Sequence, residues 1–132
     1  MKTEELRRGN TVFYESRIIK IDNIHEKSVN VILMKTYDSK EHIIYKVKKW
    51  ISIEKISPLP LNSSTLRRLG FRQETDTRFR IGRNNKTLFV IRHIDKYYLA
   101  VNNSFNEVAE LKNIHHLQNL IYFWFDVDLI FR

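Results

Sequence analysis

The chain has only two prolines, and both fall in one stretch near its middle, Ser57-Pro58-Leu59-Pro60. Proline donates no amide hydrogen and restrains the residue before it, so we expect this stretch to end any strand ladder. It predicts a division into residues 1–57 and 58–132. A length of 132 residues suits either two small modules or one compact unit, since domains cluster at about 100–150 residues.

Residues 1–57 have the pattern of short strands, because β-branched and aromatic residues are dense and no helical apolar stripe is sustained. We expect Asp38-Ser39-Lys40 to separate two of these strands. Five strands suit a small, strongly bent antiparallel barrel, and the sequence therefore predicts an SH3-like barrel. The predicted strands cover residues 11–15, 17–24, 29–34, 42–47 and 50–56.

Residues 58–132 predict a short helix, an antiparallel β-meander and a C-terminal helix, which makes the whole chain α+β. Asn62 or Ser63 can cap a helix over residues 64–69 that ends at Gly70. Asn84-Asn85 tolerates the positive φ angles of a tight hairpin. Residues 105–111 fit a fourth strand or a loop. The meander strands are predicted over residues 77–82, 86–94 and 97–101.

The C-terminal helix is predicted to begin after Asn113 and to bury Ile114, Leu117, Leu120, Ile121 and Trp124 on one face. Its far half is apolar on every side, which a helix lying on one sheet does not require. We place Trp124 in the core. We assign an interface to Tyr122, Phe123 and Phe125, for a protein partner or a two-fold dimer that covers the patch.

Several classes of chemistry are excluded or disfavoured by composition. The chain has no cysteine, and its three glycines are scattered, so thiolate chemistry and glycine-rich phosphate loops are ruled out. No two of the five histidines have the spacing that puts imidazoles on one helix face. We therefore predict no metal, no cofactor and no enzymatic activity. A small enzyme built around His115 or His116 is kept as an alternative.

Positive charge is concentrated in one part of the sequence. Residues 66–96 contain nine bases and three acids, whereas residues 97–132 contain two bases and four acids. Such a basic stretch can neutralise phosphates, and Tyr97 and Tyr98 could stack bases beside it. The residues predicted for a nucleic-acid-binding surface are Arg67, Arg68, Arg78, Arg80 and Arg83. Solvated arginines on an open sheet face explain the same pattern.

The charged N-terminal residues are not followed by the apolar run of a secretory signal, and no stretch approaches the ~20 apolar residues of a membrane span. We therefore expect a cytoplasmic protein that does not enter a membrane.

Three stretches resemble a family of short uncharacterised bacterial proteins, many encoded near prophages or other mobile elements. Residues 5–12 (ELRRGNTV) resemble ELRIGNxV, and residues 115–123 (HHLQNLIYF) resemble VHxLQNLYF. Residues 58–61 (PLPL) and 66–71 (LRRLGF) resemble PIPLTEEWLLKFGF. The chain departs from this pattern at Ser63-Ser64, where an acidic pair is usual, and at residues 125–127. The family has no assigned activity, so the resemblance implies the architecture and a bacterial or phage context.

Together these observations favour a non-enzymatic binding or accessory protein that acts through protein contacts and self-associates through its C-terminal helix. A nucleic-acid-binding module is the first alternative, and a histidine-based enzyme is the second.

Overall fold

A computed structural model describes residues 1–37, 43–101 and 107–132, in a mixed α+β architecture with two antiparallel sheets. The chain divides into two compact units, Met1–Leu59 and Pro60–Arg132. Among the described residues, no helix is long and apolar enough to cross a membrane. The predicted break at residues 38–40 lies outside the described residues.

The first unit is a five-stranded antiparallel sheet in the order β4-β3-β2-β1-β5. Its core combines alternate residues of the strands with Leu6 and Ile53, as expected for strands that bury one face. The register of β2 against β3 shifts between Ile21 and Asn23. The strands are β1 Thr11–Tyr14, β2 Arg17–His25, β3 Ser28–Tyr37, β4 Ile43–Ser52 and β5 Ile56–Pro58.

One prediction for this unit is wrong in detail. Residues 42–47 and 50–56 are predicted as separate strands, but β4 continues through Lys48 and Lys49, and a 3-10 helix, Ile53–Lys55, precedes β5. The ladder ends within the stretch Ser57–Pro60, as predicted, with Pro58 aligned to Val12 as the last residue of β5. An edge strand tolerates proline because one side of it needs no amide donor.

The sequence predicts a closed, barrel-like arrangement of these strands. The described strand pairs leave β4 and β5 as edges that do not pair with each other. The SH3-like barrel therefore stays a prediction, while the antiparallel sheet is shown.

The second unit contains helix α1 Ser63–Arg68, a second antiparallel sheet and helix α2 Ile114–Phe125. The predicted hairpin at Asn84-Asn85 is confirmed, with φ angles of 51° and 62°. Residues 107–111 are a strand, and a short edge strand over residues 72–73 was not predicted. The sheet has the order β10-β9-β8-β7-β6. Its strands are β6 Arg72–Gln73, β7 Arg78–Arg83, β8 Lys86–His93, β9 Lys96–Val101 and β10 Glu107–Leu111.

Both helices begin at an asparagine cap, as predicted. The Asn62 side chain accepts a hydrogen bond from the Thr65 amide at 2.9 Å. The Asn113 side chain accepts one from the His116 amide, also at 2.9 Å. Each bond satisfies an amide that has no partner within its helix. On α2, Ile114, Leu117 and Ile121 are fully buried, as the helical spacing predicted.

Candidate functional site

Three consecutive aromatic side chains are exposed in the last turn of α2. The exposed fractions are 37% for Tyr122, 71% for Phe123 and 46% for Trp124. The Tyr122 and Phe123 rings meet edge to face, with centroids 5.5 Å apart. Large apolar side chains grouped in this way mark contact surfaces more often than single exposed ones do. We call Tyr122, Phe123, Trp124 and Phe125 the aromatic end of α2.

The prediction that Trp124 belongs to the core is wrong. Trp124 follows the buried Leu117 by seven residues, so both lie on the same side of the helix. Burial along α2 ends at Ile121, and the three residues after it are exposed. Helical periodicity gives the direction of a side chain, but it does not show how far the covering surface extends.

Charges of both signs border the aromatic end. The Lys86 ammonium lies 5.0 Å from the centroid of the Phe125 ring, within the range of a cation–π contact. Asp126 follows as the C-cap of α2 and is exposed, with a left-handed φ of 54°. The half-buried Phe125 therefore lies between the exposed aromatic residues and Asp126 in the sequence, and its ring contacts Lys86.

The five arginines predicted to form one surface are divided by the structure. Arg78 and Arg80 alternate along β7 with the buried Phe79 and Ile81, so they point to the other face of the sheet. Glu74 lies between them, with carboxylate oxygens 3.3 Å from Arg78 Nε and 3.8 Å from Arg80 Nη1. These two arginines are thus already paired with a carboxylate.

Arg67, Arg68 and Arg83 are brought together around a pocket of about 520 Å³. Arg132, which the sequence analysis did not single out, lines the same pocket. We call these four residues the arginine pocket. The alternation of residues along β7 is a sequence signal that separates these arginines. Arg83 falls on the same face of the strand as Phe79 and Ile81, and Arg78 and Arg80 fall on the other. No local signal connects Arg132 to α1.

The C-terminal segment forms one wall of the pocket. The Arg132 amide donates to the Arg68 carbonyl at 2.8 Å, and Arg68 Nε donates to the Arg132 main-chain oxygen at 2.7 Å. Nearby, the Arg68 guanidinium carbon lies 4.4 Å from the centroid of the Phe131 ring. The buried Gln118 of α2 donates to the Leu129 carbonyl at 3.0 Å. This segment is therefore held against both helices of the unit.

The two tyrosines proposed to stack bases do not join the arginine pocket. They are consecutive residues of β9, so their side chains point to opposite faces of the sheet, and both are half-buried. Tyr98 aligns with Ile91, which aligns with Arg78, so Tyr98 shares the face of the paired arginines. Tyr98 therefore lies with two of the five predicted arginines, whereas neither tyrosine lines the arginine pocket.

Both histidines lie in the first turn of α2. The His115 side chain is buried. His116 Nδ1 accepts from the Lys112 amide at 3.1 Å, which places the proton of a neutral ring on Nε2. In the part of the chain that the structure describes, no group of three or more histidine and acidic residues could hold a metal ion.

Comparison with known proteins gives no relative: no family model matches the chain, and neither a curated protein nor a solved structure is significantly similar to it.

Proposed function

We propose that this chain is a non-enzymatic binding protein that works through protein contacts made by the aromatic end of α2. The observation that carries the proposal is the exposure of Tyr122, Phe123 and Trp124 in consecutive positions. Burying one such side chain contributes about 1.5–3 kcal/mol to an association. Aromatic residues, above all tryptophan and tyrosine, also dominate the binding energy of many protein interfaces.

The partner we propose is a second copy of the chain. A two-fold interface uses the same surface patch on both copies. Each contact between residue i of one copy and residue j of the other therefore occurs twice. The border of the aromatic end supplies a self-complementary pair, because Lys86, which contacts the Phe125 ring, and Asp126, which follows Phe125, carry opposite charges. Lys86 of one copy would then meet Asp126 of the other around a core of aromatic rings.

Sedimentation velocity over a wide concentration range tests the proposal. We expect the chain to sediment as a monomer when dilute and as a dimer when concentrated, because the aromatic rings become buried together. Phe123→Ser should weaken dimerisation by about tenfold or more, as removal of a central aromatic anchor does.

Ile94→Asn is the matched control. Ile94 is 77% exposed and lies in the turn between β8 and β9, away from the aromatic end in sequence. Its φ of 58° is left-handed, a conformation that asparagine adopts more easily than a β-branched residue. The control should dimerise like the original chain and be slightly more stable. A monomer at every concentration would contradict the proposed partner, as would equal losses in both variants.

We also propose that the first unit is an SH3-like barrel. Support comes from five antiparallel strands joined in sequence and from β5, which returns to pair with β1. The register shift in β2 is of the kind that bends a strand. The bacterial family context and the cytoplasmic location stay predictions.

A further inference from the structure

The arginine pocket holds an excess of positive charge. Five charged side chains line it, and Asp128 is the only acid among them. None of its four arginines forms an ion pair with the side chain of an aspartate or glutamate within the described residues. Arg78 and Arg80 in the same unit share Glu74. The pocket therefore differs from that pair, because its basic side chains outnumber its one acidic side chain by four to one.

Main-chain hydrogen bonds hold three of these guanidinium groups in place. Arg67 Nε donates to the Ser63 carbonyl at 3.2 Å, and Arg83 Nη1 donates to the Gly82 carbonyl at 2.7 Å. Arg68 Nε donates to the main-chain oxygen of Arg132. A guanidinium has five N–H donors, so each group keeps donors for an anion after making its bond. An anion would therefore find side chains that are already positioned.

Gly70 leaves room beside Arg83. It follows α1 with a left-handed φ of 104°, and a Cβ atom there would come within 3.3 Å of Arg83 Nη2. Glycine at this position thus satisfies the helix end and lets the guanidinium approach the main chain. The location of Arg67 and Arg68 in the last turn of α1 suits the helix dipole. A capping role does not account for Arg83 and Arg132, which come from other parts of the chain.

Part of the lining is apolar, and the volume exceeds what one inorganic anion needs. Leu69, Leu129 and Ile130 are its apolar residues. The two leucines are only 1% and 2% exposed, so Ile130, at 52%, supplies most of the accessible apolar surface. A volume of about 520 Å³ lies within the range of pockets that hold small organic ligands. Arginine guanidinium groups match phosphate oxygens in bidentate geometry. Charge and wall composition together fit a ligand with a phosphoryl group and a carbon skeleton.

We propose that the arginine pocket binds a phosphate monoester, with the phosphoryl oxygens on Arg67, Arg68 and Arg83 and the organic part against Ile130. Two kinds of ligand carry a phosphate monoester: a small phosphorylated metabolite and the terminal phosphate of a nucleotide chain. The proposal is independent of the contact surface on α2.

Isothermal titration of the full chain with phenyl phosphate and with inorganic phosphate, at constant ionic strength, tests the pocket. We expect phenyl phosphate to bind more tightly, because only its ring can contact the exposed Ile130 side chain. Arg67→Gln combined with Arg83→Gln should weaken phenyl phosphate binding by about tenfold or more, since two charge-assisted contacts are lost. Both side chains are exposed, so the fold should tolerate the change.

Arg78→Gln combined with Arg80→Gln is the matched control, because it removes the same total charge outside the pocket. It should change the affinity by less than about twofold, the effect expected of distant, screened charges. Equal losses in the two double variants would overturn the proposal, and so would the absence of phenyl phosphate binding at low salt.

A short oligonucleotide with and without a 5′-phosphate distinguishes the sources of the phosphoryl group. Preference for the phosphorylated form that is lost in the Arg67/Arg83 variant supports a pocket open to nucleotide ends. Binding of phenyl phosphate alone supports a small-molecule ligand. A third outcome would contradict the proposal: the two oligonucleotides bind equally, the Arg67/Arg83 variant binds them as well as the original chain does, and phenyl phosphate does not bind. The chain would then recognise the nucleic-acid backbone at another surface.

Discussion

Helices α1 and α2 begin in the same way and end differently. Each starts after an extended asparagine, Asn62 or Asn113, whose side chain accepts from the amide three residues later. Helix α1 ends in Arg67 and Arg68 and is followed by Gly70. Helix α2 ends in aromatic residues and a left-handed Asp126. The starts serve the fold, whereas both proposed binding surfaces lie at the ends.

The starts of the two helices stabilise the fold, whereas their ends leave side chains exposed that contribute little to stability. Asparagine caps and buried apolar residues satisfy polar groups and remove apolar surface from water. Exposed aromatic rings, and four arginines that pair with no aspartate or glutamate side chain among the described residues, satisfy fewer polar groups and bury less apolar surface. We infer that the helix ends are shaped by binding, and the predictions below test this division.

The largest expected difference separates two positions on α2. Ile121→Ala should lower the free energy of unfolding by about 2–5 kcal/mol, because it removes a fully buried side chain. Phe123→Ala, half a turn away, should change it by less than about 0.5 kcal/mol in the monomer. Urea unfolding at low protein concentration measures both. Similar losses would mean that Phe123 belongs to the core and that the aromatic end is not free to bind.

A smaller and equal effect is expected at the two helix starts. Asn62→Ala and Asn113→Ala should each cost about 1 kcal/mol, because one helix amide loses its acceptor in each case. In α1 the Thr65 hydroxyl also accepts from the Asn62 amide at 3.0 Å, so part of that capping box survives the change.

Ser64→Ala provides the control for the caps, since Ser64 is exposed in the first turn of α1. Its effect on urea unfolding should stay within about 0.5 kcal/mol. If a cap variant were no less stable than this control, the shared start of the two helices would not be a structural device.

The smallest expected effect concerns the end of α2. Asp126→Asn should raise the stability of the monomer by about 0.3–1 kcal/mol, because a negative charge at a helix C-terminus opposes the dipole. Asparagine still accepts the left-handed φ. The same change should weaken self-association, since it removes the proposed partner of Lys86. In this variant we therefore expect the dimerisation affinity from sedimentation to fall while the free energy of unfolding from urea titration rises. A change of both in the same direction would count against the ion pair.

Local signals in the sequence predicted the elements but not which surfaces are covered. The asparagine caps and the Asn84-Asn85 hairpin were predictable because each depends on a few neighbouring residues. The exposure of Trp124 was not, because it depends on where the covering surface ends. The arginine pocket was predictable only in part. Three of its four arginines lie in the basic stretch, but Arg132 comes next to α1 only through the fold. Strand β6 was missed because two residues carry no periodicity.

Tryptophan fluorescence of a Trp50→Phe variant measures the central claim directly. The chain has two tryptophans, so this change leaves Trp124, at the aromatic end of α2, as the single reporter. We expect its emission to shift to shorter wavelength as the protein concentration rises, because the indole ring leaves water when two copies meet. The shift should disappear in Phe123→Ser. An emission spectrum that stays the same from dilute to concentrated protein would contradict the proposal that this surface is where the chain binds its own copy.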